Sequence, residues 1–194
     1  MGNADKAKRK AEKQRLKTMK AYFNSIGDTI LDGNHVKYFV LGKHRLDNEY
    51  YFVVQDINGI LYLQKIVYGN SIRIVNVSRE GRQYAKNRNV FDTWFEVTEK
   101  KRTTLLENYY NKVNVGETCK DGNYILLLKK QYNGKYYFIL EDSNGRYVVA
   151  KLGWWYTKVR VQILSDNEYA KNRYMFSDWI REANIESLLR KMRK

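Results

Sequence analysis

Tyr84-Ala85-Lys86-Asn87-Arg88 returns unchanged as Tyr169-Ala170-Lys171-Asn172-Arg173. This pentapeptide is the centre of a longer correspondence. Gly27-Asp28-Thr29 matches Gly116-Glu117-Thr118, and Asp32-Gly33-Asn34 matches Asp121-Gly122-Asn123, both 89 residues later. Tyr50-Tyr51-Phe52-Val53-Val54 aligns with Tyr136-Tyr137-Phe138-Ile139-Leu140, and Asp56-Ile57-Asn58-Gly59 with Asp142-Ser143-Asn144-Gly145, now 86 residues later. Ile72-Arg73-Ile74 matches Val159-Arg160-Val161, and beyond the pentapeptide Phe91 and Trp94 find Phe176 and Trp179. The change of offset puts three extra residues of the first copy between Leu41 and Glu49, a length change that belongs in a loop. A period near 86 exceeds that of solenoid repeats, so the chain reads as two fused copies of a small domain.

Within each copy the runs His35–Leu41, Tyr50–Gln55, Ile60–Val67 and Ser71–Val77, and their counterparts, are rich in Val, Ile, Tyr and Phe and predict strands. Asn58-Gly59 and Asn144-Gly145 supply the positive φ angles of a tight hairpin. Lys158, Arg160 and Gln162 alternate with Val159, Val161 and Ile163, which gives the last strand of the second copy a wet side. The period then changes. Ser165-Asp166-Asn167-Glu168 has the form of a capping box, which starts a short helix carrying the repeated pentapeptide. A second helix is expected from Ser177, with Ile180, Ala183, Ile185, Leu188 and Leu189 on one apolar face, and residues 93–110 form its equivalent in the first copy. The fold class is α+β: a tandem duplication of a small antiparallel β-sheet, or small barrel, followed by helices. The domains are a basic N-terminal helical arm over residues 1–25, a first repeat over 26–111 and a second over 112–194.

A formal charge of +15 on 194 residues points to a nucleic-acid partner, DNA or RNA. The charge is concentrated at the ends. Residues 1–26 hold eight Lys/Arg against two acids, and residues 188–194 hold four against none, whereas the two copies are only mildly basic. Lys6, Lys8, Arg9, Lys10, Lys13, Arg15, Lys17 and Lys20, among Ala, Glu and Gln, form a helix-prone arm that only Leu16, Met19 and Phe23 can dock. Arg190, Lys191, Arg193 and Lys194 make a basic tail. Such cations contact phosphates and release counterions, and their bland alternative is a solvated tail that aids solubility.

Arg73 and Arg160 recur on equivalent strands and are candidates for a repeated contact, with Lys158 beside the second. Their structural alternative is a cross-strand acid. In the pentapeptide, Tyr84 and Tyr169 are expected to pack inward, with Ala85 and Ala170 allowing close approach, while Lys86, Arg88, Lys171 and Arg173 point outward. Trp154-Trp155-Tyr156 has no aromatic counterpart in the first copy and is a candidate partner-binding cluster. The order of strands and helix loosely resembles DNA-binding units that lay a three-stranded sheet in the major groove, such as the arm-binding domains of phage integrases, though no motif assigns the chain to them.

No enzyme is expected. His35 aligns with Tyr124, His44 lies in the length change and Cys119 aligns with Ile30, so neither a histidine nor a cysteine is common to both copies. Asp28/Glu117, Asp32/Asp121 and Asp56/Asp142 abut Gly or Asn-Gly and read as turn formers. One cysteine excludes an internal disulfide framework and a multi-thiolate zinc site, so neither metal nor cofactor is expected. There is no apolar run long enough for a membrane span, no partner membrane is expected, and the compartment reads as cytoplasmic. The absence of proline and the wealth of Lys, Asn, Tyr and Ile suit an AT-rich genome, such as that of a phage or mobile element. These features favour a non-catalytic nucleic-acid-binding protein, with terminal arms on phosphates and two sheet faces reading register or shape. The alternative is a protein-binding adaptor or inhibitor that blocks a host nucleic-acid-processing enzyme. Oligomeric state is not legible.

Overall fold

A computed structural model describes residues 2–155 and 158–193, the side chains of Asn3 and Trp155 excepted. The fold is α+β and contains two antiparallel five-stranded sheets. Contacts divide the chain into two compact units, 1–101 and 102–194. The first begins with helix α1 (Gly2–Ser25), followed by strands β1 (Thr29–Leu31), β2 (Lys37–Leu46), β3 (Glu49–Gln55), β4 (Leu61–Tyr68) and β5 (Ile72–Asn76). A short helix α2 (Arg82–Lys86) leads into α3 (Arg88–Lys112), within which the division between units falls. The second unit continues with β6 (Thr118–Cys119), β7 (Tyr124–Tyr132), β8 (Lys135–Asp142), β9 (Tyr147–Trp155), β10 (Lys158–Ile163), α4 (Asp166–Lys171) and α5 (Arg173–Met192).

Each sheet is a meander in sequence order, with its first and fifth strands as edges. The sheet curls into a half-barrel in the first unit and nearly into a barrel in the second, with no hydrogen-bonded closure among the described residues. Both carry one irregularity at the same place in the plan, between Val40 and Gly42 and between Leu126 and Leu128. Such bulges bend a strand and increase its twist, which lets a short sheet curl. At the first bulge a side chain on Gly42 would come within 2.7 Å of the His44 ring, so glycine is needed there for space.

The middle strands explain the unbroken apolar runs. Tyr50, Phe52 and Val54 of β3 point to one face, where Met19, Tyr22, Phe23 and Ile26 of α1 and its C-terminal extension cover them. Tyr51 and Val53 point to the other, under Tyr84 of α2 and Phe91 and Phe95 of α3. A strand covered on both sides has no reason to alternate polar and apolar residues. In the second unit Leu106, Tyr109 and Tyr110, at the end of α3, and Val113 just beyond it cover Tyr136, Phe138 and Leu140, while Tyr169 and Phe176 cover Tyr137 and Ile139. Phe52 and Phe138 are both fully buried, and truncating either to Ala costs about 3–5 kcal/mol.

Several local expectations need correction. The extra residues of the first unit lie between β1 and β2, because Thr29 pairs with Phe39 and Thr118 with Ile125, while the β2–β3 and β7–β8 turns are of equal length. The segments expected to start at Thr93 and Ser177 are helical from Arg88 and Arg173, since the long helices follow directly on the pentapeptide asparagines. Ala85 and Ala170 are exposed and permit no close approach. Three of the turn carboxylates act as expected: Asp32 Oδ1 accepts from the amides of Asn34 and Val36, Asp56 Oδ1 from those of Asn58 and Ile60, and Asp142 Oδ1 from those of Asn144 and Arg146. No helix among the described residues is long and apolar enough to cross a membrane.

Candidate nucleic-acid interface

Helix α1 is anchored only at its C-terminal part. Residues 4–14 are all exposed; at 100° per residue Lys6, Arg9, Lys10 and Lys13 fall within a sector of about 100° that Lys17 and Lys20, exposed further along, continue, while Lys8 points away from it. Arg15 is half-buried and donates to both carboxylate oxygens of Glu12 at 3.1 Å. The packing that fixes the helix starts at Met19, which is 1% exposed.

Arg15 lines an open hollow of about 600 Å3 together with Asp47, Asn48, Glu49, Arg82, Gln83, Lys86 and Asn87. The hollow brings two of the sequence candidates, Arg15 and Lys86, to one place and adds Arg82, which sequence reasoning missed. Its acids are not equivalent. Glu49 accepts from Tyr51 Oη, from Gln83 Nε2 at 2.9 Å and from Lys65 Nζ at 3.3 Å. Burial opposes its ionisation, but the Tyr51 hydrogen bond and Lys65 outweigh that, and its carboxyl titrates below the usual range. Glu49 is thus committed to Lys65 and Tyr51. Arg82 and Lys86 have no ion-pair partner among the described residues and are the cations an anion entering the hollow would meet.

The second unit places its charges differently around the corresponding tyrosine. Lys151 of β9 pairs with Glu168 of α4, where Glu168 also closes the capping box on Ser165. The Lys151 hydrogen bond comes first among the influences that hold the Glu168 carboxyl below its ordinary range. In the first unit the strand supplies the acid and the helix the amide; in the second the helix supplies the acid, and Lys135 occupies the strand position of Glu49.

Arg73 and Arg160 are exposed on the edge strands β5 and β10, in matching register opposite Val67 and Gly153. Lys158 is exposed beside Arg160. A second hollow, about 510 Å3, lies where β6 and β10 border the curled sheet and is lined by Tyr109, Thr118, Cys119, Lys120 and Arg160, among others. Lys120, Asp121 and Gly122 at its rim all have positive φ. Among the described residues helices pack on both sides of the middle strands, and the exposed arginines lie on the edge strands.

The pentapeptide is a joint between helices. Tyr84 is 3% exposed, packs on Phe91 at 5.3 Å between ring centres and donates to Asp92 at 2.5 Å; burial first, and then Asp92, push its hydroxyl up to about 12. Tyr169 sits against Phe176 and pairs with Ser177 at 3.2 Å. Asn87 ends α2 and its carbonyl accepts from Phe91, as Asn172 does from Phe176. Lys86, Arg88, Lys171 and Arg173 are exposed.

Other candidates separate. Arg190 is half-buried and donates to the Leu127 carbonyl at 3.1 Å, which ties it to the sheet, while Lys191 and Arg193 are exposed. Trp154 is half-buried with the Arg102 guanidinium 5.8 Å from its ring centre. The Trp155 side chain, Tyr156 and Lys194 lie outside the described residues. His44 is stacked on Trp94, with 4.3 Å between centres and a 9° interplanar angle, and Cys119 is buried with its thiol pushed up by that burial. No group of three or more His, Cys, Asp or Glu among the described residues is placed to hold a metal ion. Comparison of the chain with protein-family models, with curated proteins and with solved structures finds no match.

Proposed function

We propose that this is a non-catalytic nucleic-acid-binding protein built by tandem duplication of one sheet-and-helix domain. The observation that carries the reading is the solvated first half of α1, whose exposed Lys6, Arg9, Lys10 and Lys13 form one basic stripe about 100° wide, with exposed Lys8 on another side. Arg15, Arg82 and Lys86 continue this charge into the hollow, and the edge arginines Arg73 and Arg160 give each copy one further cation at the same register. Phosphate contact by these groups requires no particular base sequence, so affinity comes mainly from the backbone. The duplication is supported by the shared strand order, the matching bulges and the exchanged acid around Lys65 and Lys151. The non-catalytic part rests on the stacked His44 and the buried thiol of Cys119.

The test is fluorescence anisotropy with duplex DNA, single-stranded DNA and RNA at about 50 and 200 mM salt. Six to eight neutralised phosphates on a duplex give a slope of log K against log salt of about −5 to −7. Deleting residues 1–14, which leaves Met19 and the core intact, should flatten the slope by up to about 4 units and weaken all sequences alike. An affinity that resists both salt and the deletion would remove the basis of the proposal. The competing protein-adaptor reading draws support from exposed apolar side chains on α5.

A further inference from the structure

Helix α5 has two apolar sides. One holds Phe176, Ala183 and Ser187 against the sheet, each 6% exposed or less. The other bears Ile185 and Leu188, each 53% exposed, Leu189 at 40% and Met192 at 82%. At 100° per residue these four fall within a sector of about 100°, centred roughly opposite Ala183. The sequence pattern had merged the two sides into one face, but the structure separates them. A surface helix ordinarily turns polar residues outward, and a contiguous apolar stripe on its outer side marks a contact surface. The chain contains its own control: the corresponding positions of α3, aligned through Phe91 and Phe176, are Lys100, Thr103, Thr104 and Glu107.

We infer that this stripe binds the same stripe of a second copy of the chain, the two α5 helices crossing antiparallel. The choice of occupant follows from the charge beside the stripe. Exposed Glu186 lies at its N-terminal end and exposed Arg193 at its C-terminal end, about 20° apart around the axis and therefore on one flank. Reversing one helix about a dyad between Leu188 and Leu189 sets Ile185 against the partner's Met192 and Leu188 against the partner's Leu189. It also sets Glu186 beside the partner's Arg193, and by symmetry Arg193 beside the partner's Glu186. The stripe is thus complementary to itself in this direction, in apolar content and in charge. The outward side of α5 lies away from the sheet, so the unit's own packed elements do not obstruct the approach. Four side chains from each copy bury less than the roughly 1,200–2,000 Å2 of a standard interface, so the dimer is weak and concentration-dependent.

Sedimentation equilibrium on full-length protein freed of nucleic acid, over about 10 µM to 1 mM, should show the mass rising from 23.2 kDa toward twice that value. Leu188→Glu should weaken association at least about tenfold without lowering the melting temperature, since the side chain faces outward. Glu186→Arg and Arg193→Glu should each weaken it about three- to tenfold, and the double variant should restore it. A mass that stays monomeric throughout would overturn the inference, as would association that survives Leu188→Glu or charge variants that fail to rescue one another. Because nucleic acid is absent, the outcome is independent of the binding proposal.

Discussion

Lys129 lies 4.5 Å from the centre of the Tyr110 ring, and its Nζ donates to the Val113 carbonyl at 2.9 Å, closing the C-terminal end of α3. Lys43 does the same for α1. Its Nζ is 5.3 Å from the centre of the Phe23 ring and donates to the carbonyls of Phe23 and Ile26. A cation satisfies the orphan carbonyls of a helix end and complements its dipole, while the ring beneath adds a cation–π term. Lys129→Met and Lys43→Met should each destabilise by about 1–2 kcal/mol, because methionine keeps the stem but offers no donor. Urea unfolding of the two variants checks this. Equal stability with wild type would mean that water replaces the ammonium at no cost.

The exchanged acid gives a rescue experiment. Glu49→Gln leaves Lys65 without a carboxylate in a pocket where the lysine side chain is only 17% exposed. The loss should be about 1 kcal/mol, reduced by the partial exposure of Glu49. Adding Gln83→Glu places a carboxylate on the helix, as Glu168 does beside Lys151, and should recover most of that loss. A double variant no more stable than Glu49→Gln would show that the helix position cannot reach Lys65.

His44 makes stability depend on pH. Burial first, and then Lys101, lower its pKa from the ordinary value of 6.5. A depressed folded pKa means that the unfolded chain takes up the proton first. The neutral ring's contribution is therefore complete above about pH 6.5 and is lost as the pH falls through the folded value. His44→Gln should reduce the loss of stability between pH 7.5 and pH 5, measured by denaturant titration followed by circular dichroism. An unchanged difference between the two pH values would acquit His44.

The strands and the helices were legible because their signals are local: β-branched and aromatic runs, Asp-led turns and a capping box; the order of the strands within each sheet was not. The sequence also exposed the correspondence between the units through Tyr84 and Tyr169. The length change was misplaced because β2 runs through Gly42 to Leu46, which looked like a loop; that error also hid the recurrence of Lys43 as Lys129. Arg82 and Arg15 line one hollow only because α2 and α1 meet the β2–β3 turn, a tertiary fact with no fixed spacing. The two sides of α5 were indistinguishable in one sequence, since periodicity records which residues are apolar and not which of them find a partner.

Helix α3 closes the core of the first unit with Phe91 and Phe95 and opens that of the second with Leu106, Tyr109 and Tyr110. A break at its midpoint, such as Lys101→Pro, costs about 3 kcal/mol or more and should split one thermal transition into two, whereas a single persistent transition would show that cooperativity does not pass through the helix. The same sharing bears on birth order. Translation delivers the chain from its N-terminus, so the helix that seals the earlier-made half already carries the side chains that the later-made strands must pack against.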